Sequence, residues 1–186
     1  QPWEFIVVKN PETKSKMAGT WAECIKENDI INMTRIEELR SAPQAPLGPH
    51  ALKDAPVVIV VCADRRAYQA TVLAANFIYG EGGPGATFLK GMGNAVHNLQ
   101  LAAAALGLGS EWVSVSRLWE QSLRTLLDVP PVLEIHTVVA VGYPAVTPPR
   151  PYRRELKEIV HFEKYDTNKY RSGEDVIQFL RRLRQR

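Results

Sequence analysis

The residues from Gly91 to Ser116 read GMGNAVHNLQLAAAALGLGSEWVSVS, a glycine-opened helix that runs straight into a strand. From Ala95 to Leu106 the chain is apolar on almost every face, interrupted mainly by His97, Asn98 and Gln100. This pattern predicts a helix buried in the core rather than one lying on the surface. Gly107 and Gly109 end it, because glycine reaches the left-handed geometry that closes a helix without steric cost. A strand follows at once, over roughly Glu111 to Val115.

Toward the C-terminus, Ser116 is placed to cap a helix from Arg117 to Leu127, whose Leu118, Leu123, Leu126 and Leu127 make an apolar side, and Pro130-Pro131 then breaks the chain. LEIHTVVAVGYP is the next buried strand. Beyond Gly142 the sequence TPPRPYRR is held extended by its prolines. Lys157 to Tyr165 alternates as a strand does, and Ser172 caps a last helix in which Val176, Ile177, Leu180 and Leu183 align at helical spacing.

Toward the N-terminus, PWEFIVVK reads as a buried strand. Asn10 as cap and Pro11 at the first helical position then start a helix over Glu12 to Asn28, with Met17, Trp21, Cys24 and Ile25 as its core-facing stripe. Asp29 to Arg40 reads either as a further helix or as irregular chain. Ser41 to Pro56 is a proline-rich connector in which no regular element is expected. VVIVVCA, Val57 to Ala63, is apolar without alternation, so both faces of that strand are covered and it belongs in the centre of the sheet. Arg65 to Tyr79 can be helical through Tyr68, Val72 and Phe77, and GEGGPG, Gly80 to Gly85, is expected to hold no regular structure. Tyr79, these glycines and Phe88 therefore read either as a mobile, aromatic-flanked lid over a pocket or as a flexible surface loop.

A chain of 186 residues suits one domain with a sizeable core. No apolar run approaches the ~18 residues that span a bilayer, and no secretory signal is visible, so neither a membrane nor export is expected. Cys24 and Cys62 sit among apolar neighbours without metal or redox spacing and read as core residues, for which a reducing cytoplasm is the natural setting. The net charge is only +3, with arginines gathered at Arg150 to Arg154 and Arg181 to Arg186. The second group reads as a solvated helix end complementing the dipole in preference to a nucleic-acid contact. His50, His97, His136 and His161 are scattered with no metal-ligand spacing, and no nucleophile-elbow or phosphate-loop motif occurs. GMGNAV imitates half of a dinucleotide fingerprint but fails at its third glycine. His97 reads first as a packed core histidine.

The stretch GNAVHNLQLAAAALGLGSEWVSV resembles the signature of the FMN-dependent nitroreductase family, and QPWEFIVVKNPET, DAPVVIVVCAD and VAVGYPAVTPPRPYRRELKEIVHFEKY match that family in the same order. The resemblance implies an α+β flavin fold with a mixed, mainly antiparallel sheet between helices, completed by a swapped segment in a homodimer. It treats 1–186 as one FMN-binding domain with 165–186 as a dimer-embracing extension. The chain opens at Gln1 directly before a strand. In this family an N-terminal helix with an arginine-rich phosphate contact precedes that point, and such a segment is expected upstream.

Flavin hydride transfer needs no catalytic side chain, since the cofactor carries the chemistry and the protein supplies position, shielding and hydrogen bonds. By resemblance, the FMN phosphate is gripped by Arg150, Arg153 or Arg154, which otherwise read as surface arginines on extended backbone. The ring edge is expected to meet the backbone of Val113, Ser114 and Val115, although Ser114 also reads as a plain strand residue. Gln1 matches the glutamine of a Gln-Pro-Trp motif near the flavin. Gly48 and His50 lie in a loop that borders the ring in this family. Tyr79 and Phe88, with His50, are the candidates for contact with a flat substrate.

The resemblance thus implies an oxidoreductase passing electrons from NADH or NADPH to a nitroaromatic or quinone by a ping-pong mechanism, with no metal. Rivals within the fold are the flavin-fragmenting synthesis of dimethylbenzimidazole and reductive dehalogenation. A rival of another class is a flavin-binding protein without turnover.

Overall fold

The structure is a computed structural model that describes residues 1–37, 40, 50–67, 70, 83–146 and 152–184. The chain divides into two compact units, Gln1–Ala145 and Val146–Arg186. The expected extension, 165–186, falls inside the second unit, which begins earlier.

In the first unit, strands β1 (Trp3–Val8), β2 (Val57–Ala63), β3 (Gly109–Ser114) and β4 (Glu134–Gly142) form one antiparallel sheet in the order β1-β2-β4-β3. Helices α1 (Pro11–Met33), α2 (His50–Asp54), α3 (Gly83–Ala105) and α4 (Arg117–Leu126) connect and cover them. The long apolar runs take the two central places, as continuous hydrophobicity requires of strands covered on both sides. Val58, Val60 and Cys62 of β2 enter a core with Met17 of α1, Leu52 of α2 and Trp119 and Leu123 of α4. Val61 and Ala63 face the opposite way, onto Phe88, Met92 and Val96 of α3. Helices therefore lie on both faces, and the fold is α+β.

The β2–β4 ladder slips between Val61 and Cys62, where the partners jump from Thr137 to Ile135. The extra residue, His136, shifts the side-chain parity, so that Ile135 and Val138 reach the same core although three positions apart. Gly142 closes β4 against Pro56, and a Cβ there would come within 2.5 Å of the proline Cδ. Gly107 ends α3 at φ 74°. Leu108 N–H donates to the Ala103 carbonyl and Gly107 N–H to that of Ala104, the paired closure that only a left-handed residue permits without strain.

The caps follow the sequence. The Asn10 side chain accepts from Thr13 N–H at 3.0 Å, Pro11 opens α1, and Ser116 Oγ accepts from Trp119 N–H at 3.2 Å to start α4. Helix α1 continues to Met33, which settles the first part of the ambiguous stretch as helix. A buried lysine, Lys14, donates from Nζ to the Ala55 carbonyl at 2.6 Å and ties the end of α2 to α1.

Several expectations are corrected. Strand β1 is not buried: it is an edge strand, with Phe5 45% and Val7 54% exposed. Helix α3 is covered along a single stripe, Phe88, Met92, Val96 and Ala103, because a helix laid on a sheet meets it with one side only. Leu101, Leu106 and His97 are exposed, so His97 is not a packed core residue. The helix begins at Gly83, inside the stretch expected to be loop, so Gly83 to Gly85 are helical. A single helical turn, α2, forms in the proline-rich connector, where HALKD lies in the longest proline-free stretch, between Pro49 and Pro56.

The second unit contains helices α5 (Leu156–Ile159) and α6 (Gly173–Arg184), with a 3-10 turn at Thr167–Lys169. The strand expected over Lys157 to Tyr165 is absent. A strand needs a neighbour to pair with, and among the described residues this unit has none. As expected, Ser172 starts the last helix, its Oγ accepting from Asp175 N–H at 3.2 Å.

Candidate active site

A cleft lies beside β3, one of the two edge strands of the sheet. The cleft has a volume of about 420 Å³ and runs between β3 and the long helix α1. Its strand wall is unbroken from Glu111 to Ser116. Side chains on a strand alternate between faces, so six consecutive lining residues mean that the cleft follows the strand's edge. That edge carries the backbone N–H and C=O groups that point away from β4 and are left unused by the sheet.

The opposite wall is Trp21, Cys24, Ile25 and Asn28 of α1, at spacings of three, one and three that keep all four on one helical side. Ala51 and Leu52 of α2 close one end. The walls are braced from behind. Thr137 Oγ1 of β4 donates to the Val113 carbonyl at 2.8 Å. Trp119 Nε1 donates to Thr20 Oγ1 at 3.2 Å, tying α4 to α1.

Electrostatically the cleft is nearly neutral. Glu111 is its one charged lining residue among those described, and no cation lines it. Burial, then the nearby carboxylates of Glu27 and Glu23, push the Cys24 thiol up, which keeps it protonated and unreactive near neutral pH. Behind the strand, Trp112 meets His136 edge-on at 6.2 Å. Burial holds the His136 imidazole below its ordinary value, against the opposing pull of Glu134.

Val113, Ser114 and Val115 lie together in this cleft. Gln1 does not line it; it is exposed at the start of the chain, beside Pro2, whose carbonyl accepts from Asp64 N–H. Arg153 and Arg154 belong to the second unit. Arg153 is exposed, with Nη1 on the neighbouring Tyr152 carbonyl at 3.1 Å, and Arg154 is turned onto Glu158 at 3.3 Å. Tyr79, Gly48 and Arg150 lie outside the described residues. His50 opens α2 next to Ala51, and its side chain lies outside them too.

Phe88 is corrected. It is 1% exposed within α3, packed in the second core, with the Arg65 guanidinium 4.6 Å above its ring. Arg65 is itself held by Glu134 at 2.7 Å. A ring covered on both sides offers no face to a substrate.

The α1 wall was legible only as a core stripe. Trp21 and Cys24 do pack inward, but Asn28 continues the same side with a polar residue, which is the signal that the stripe leaves the core and borders a cleft.

The fold has counterparts among known proteins. A structure described as an FMN-dependent nitroreductase from Clostridium difficile R20291 aligns with 88% of this chain and 76% of its own, with a TM-score of 0.51 and 22% identity. This shared architecture is the nitroreductase fold. The sequence also matches the model of the Nitroreductase family over residues 1–143, close to the whole first unit, and the chain belongs to that family.

Among curated relatives, a Methanothermobacter thermautotrophicus protein provisionally named NADH dehydrogenase/NAD(P)H nitroreductase is 30% identical over 89% of this chain and 66% of its own length. The 5,6-dimethylbenzimidazole synthase of Rhodospirillum rubrum is 30% identical over 84% of this chain and 68% of its own. The chain thus spans about two thirds of the length of these relatives.

Proposed function

We propose that this protein is an FMN-dependent oxidoreductase that takes electrons from NADH or NADPH and passes them to a flat acceptor such as a nitroaromatic or a quinone. The observation that carries the reading is the cleft along the free edge of β3, on a chain of the nitroreductase family.

The residues suit a flavin ring. A flat heteroaromatic with a polar rim needs an apolar slot on its faces and donors along one edge. Trp21, Cys24, Ile25 and Leu52 supply the slot, and those backbone groups of the Val113 to Val115 stretch that β4 leaves unpaired supply the edge. Backbone donors are fixed by the sheet and need no particular side chain, which explains how the site works without a catalytic residue. When bound, FMN supplies hydride acceptance from the nicotinamide and electron delivery to the acceptor. The phosphate needs cations, which the described residues of this cleft do not supply, and Arg150, Arg153 and Arg154 are the residues proposed to hold it. Gln1, Tyr79 and His50 are proposed to border the ring and its substrates. The site is proposed to be completed in a homodimer, with the second unit reaching the partner, and to work in the cytoplasm.

The identity to the dimethylbenzimidazole synthase favours one second reading, fragmentation of the flavin itself. A flavin-binding protein without turnover predicts bound FMN and no NAD(P)H oxidation. The deciding experiment uses purified protein extended through any upstream segment. Bound cofactor is released and identified, and NADH is then varied at several fixed quinone concentrations. FMN and parallel double-reciprocal lines are expected, since one opening over β3 serves donor and acceptor in turn. Intersecting lines would mean that both bind together, FAD or no flavin would remove the reading, and dimethylbenzimidazole formed in air would favour the synthase.

A further inference from the structure

The second unit holds a concavity of its own, about 670 Å³ in volume, of whose lining residues the proposed reaction uses only Arg154, one of three candidates for the flavin phosphate. Five cations line it (Arg154, Lys157, Lys169, Arg171 and Arg182), against the carboxylates of Glu158 and Asp175. Both carboxylates are already engaged: Glu158 accepts from Arg154, and Asp175 accepts from Ser172 N–H and Oγ–H at 2.8 and 2.6 Å. Among the described residues Arg182 has no hydrogen-bond or ion-pair partner and is exposed. Lys157 pairs only with Glu155, in an exposed contact that water and salt weaken. The concavity therefore keeps unspent positive charge.

It also has an aromatic floor. Tyr152 and Phe179 lie 5.2 Å apart, and the Arg171 guanidinium sits 4.7 Å above the Phe179 ring. Asp175, Phe179 and Arg182 share one side of α6, about a third of a turn from the exposed Val176 and Leu180. The charged hollow and the apolar stripe are thus separate surfaces of one helix.

Cations beside stackable rings select a ligand that joins a phosphate to a flat base. A phosphate monoester is nearly a dianion at neutral pH and gains most from clustered guanidinium groups. The proposed flavin ring takes the β3 cleft in the other unit, so a ligand with both base and phosphate here is a different nucleotide. We propose that this concavity binds the 2′-phosphoadenosine end of the nicotinamide donor and makes the protein prefer NADPH to NADH. Naming the nucleotide as the donor rests on the proposed function.

The test is calorimetric titration of the full chain with 2′,5′-ADP and with 5′-AMP, in low and high salt. 2′,5′-ADP is expected to bind about tenfold or more tighter than 5′-AMP, to weaken with salt, and to lose about tenfold in R182Q while 5′-AMP is little changed. K157Q should lose a smaller part. Equal affinity for the two nucleotides, or R182Q and K157Q variants both as tight as the parent, would overturn the inference. If FMN displaces 2′,5′-ADP and R182Q also sheds FMN, the hollow holds the flavin phosphate and the inference falls. A chain that binds FMN but discriminates neither nucleotide loses this inference alone. A chain that selects 2′,5′-ADP yet takes no flavin keeps the 2′-phosphoadenosine site and loses the proposed reaction, and with it the naming of that nucleotide as the donor.

Discussion

Thr137 Oγ1 donates to the Val113 carbonyl at 2.8 Å, so a fully buried hydroxyl of the central strand β4 fixes the edge strand that lines the cleft. Val113 pairs with Val138, next to Thr137, so the bond sits beside the ladder rather than replacing a rung of it. Thr137→Val keeps the shape and removes the donor. It is expected to destabilise the chain by about 1–3 kcal/mol and to weaken flavin retention, while Thr137→Ser keeps most of both. Urea midpoints and cofactor release for the two variants check this, and a valine variant matching the parent in both would show that the hydroxyl does not hold the strand.

Phe88 is a packing residue of α3, pinned between the core and Arg65. Phe88→Ala should cost about 3–5 kcal/mol by opening a cavity. Remaining activity per folded molecule should keep its acceptor profile, since the ring faces no substrate. A stable variant with an altered acceptor profile would return Phe88 to the substrate pocket.

What the sequence made legible depended on whether a pattern named its own partner. VVIVVCA and LEIHTVVAVG could only be central strands, and Asn10, Pro11, Ser116 and Ser172 marked helix starts that need nothing distant. WVSV lines the cleft along the strand's edge, a place that its side-chain pattern alone does not name. The errors arose where a local pattern left its partner open. PWEFIVVK and the alanine-rich helix both read as buried by composition, although an edge place or a one-sided contact leaves the same residues exposed. Lys157 to Tyr165 alternates as a strand does, yet the described unit gives it nothing to pair with. Phe88 was read from the glycines before it, whereas its spacing to Met92 and Val96 placed it on the core side of α3.

Among the described residues the β3 cleft has no cationic lining, so the proposed flavin phosphate depends on arginines elsewhere. Arg154 is occupied by Glu158, whereas Arg153 is exposed with a single contact to its neighbour's carbonyl. Arg153→Ala should therefore weaken FMN about ten- to a hundredfold, as expected for the loss of a charge-assisted hydrogen bond worth ~1.5–3 kcal/mol. Flavin fluorescence on titration measures it. Unchanged affinity at moderate salt would pass the role to Arg150 or Arg154.

Burial first, and then the Glu4 carboxylate, push the Cys62 thiol up to about 11 from an ordinary 9.0, with Arg124 opposing. The unfolded chain ionises this thiol first, so its contribution to stability is whole below pH 9 and is lost as the pH rises toward 11. The loss should approach about 2–3 kcal/mol at the alkaline end, two pH units at about 1.4 kcal/mol each. Urea unfolding at pH 8, 9, 10 and 10.5 should show a steeper alkaline decline for the parent than for Cys62→Ala. Parallel declines would mean that the thiol titrates normally in the folded chain.

The last helix shows the same exposure on a larger scale. In α6, Val176 is 40%, Ile177 45% and Leu180 52% exposed, and they form a contiguous apolar side that the described residues of the second unit leave about half uncovered. Such a side is a candidate for contact with another molecule. A second copy of this chain is the occupant that fits the family's expected dimer, because a two-fold axis would bury both copies of the stripe at once. Truncation after Tyr170 should therefore give a monomer by light scattering and lose bound FMN. Leu180→Glu, which leaves an exposed position exposed and so spares the fold, should weaken the dimer in the same direction with secondary structure unchanged by circular dichroism. If the truncated chain stays dimeric and retains its flavin, the stripe is not the embrace, and the dimer must be sought along the exposed side of α3, at Leu101 and Leu106.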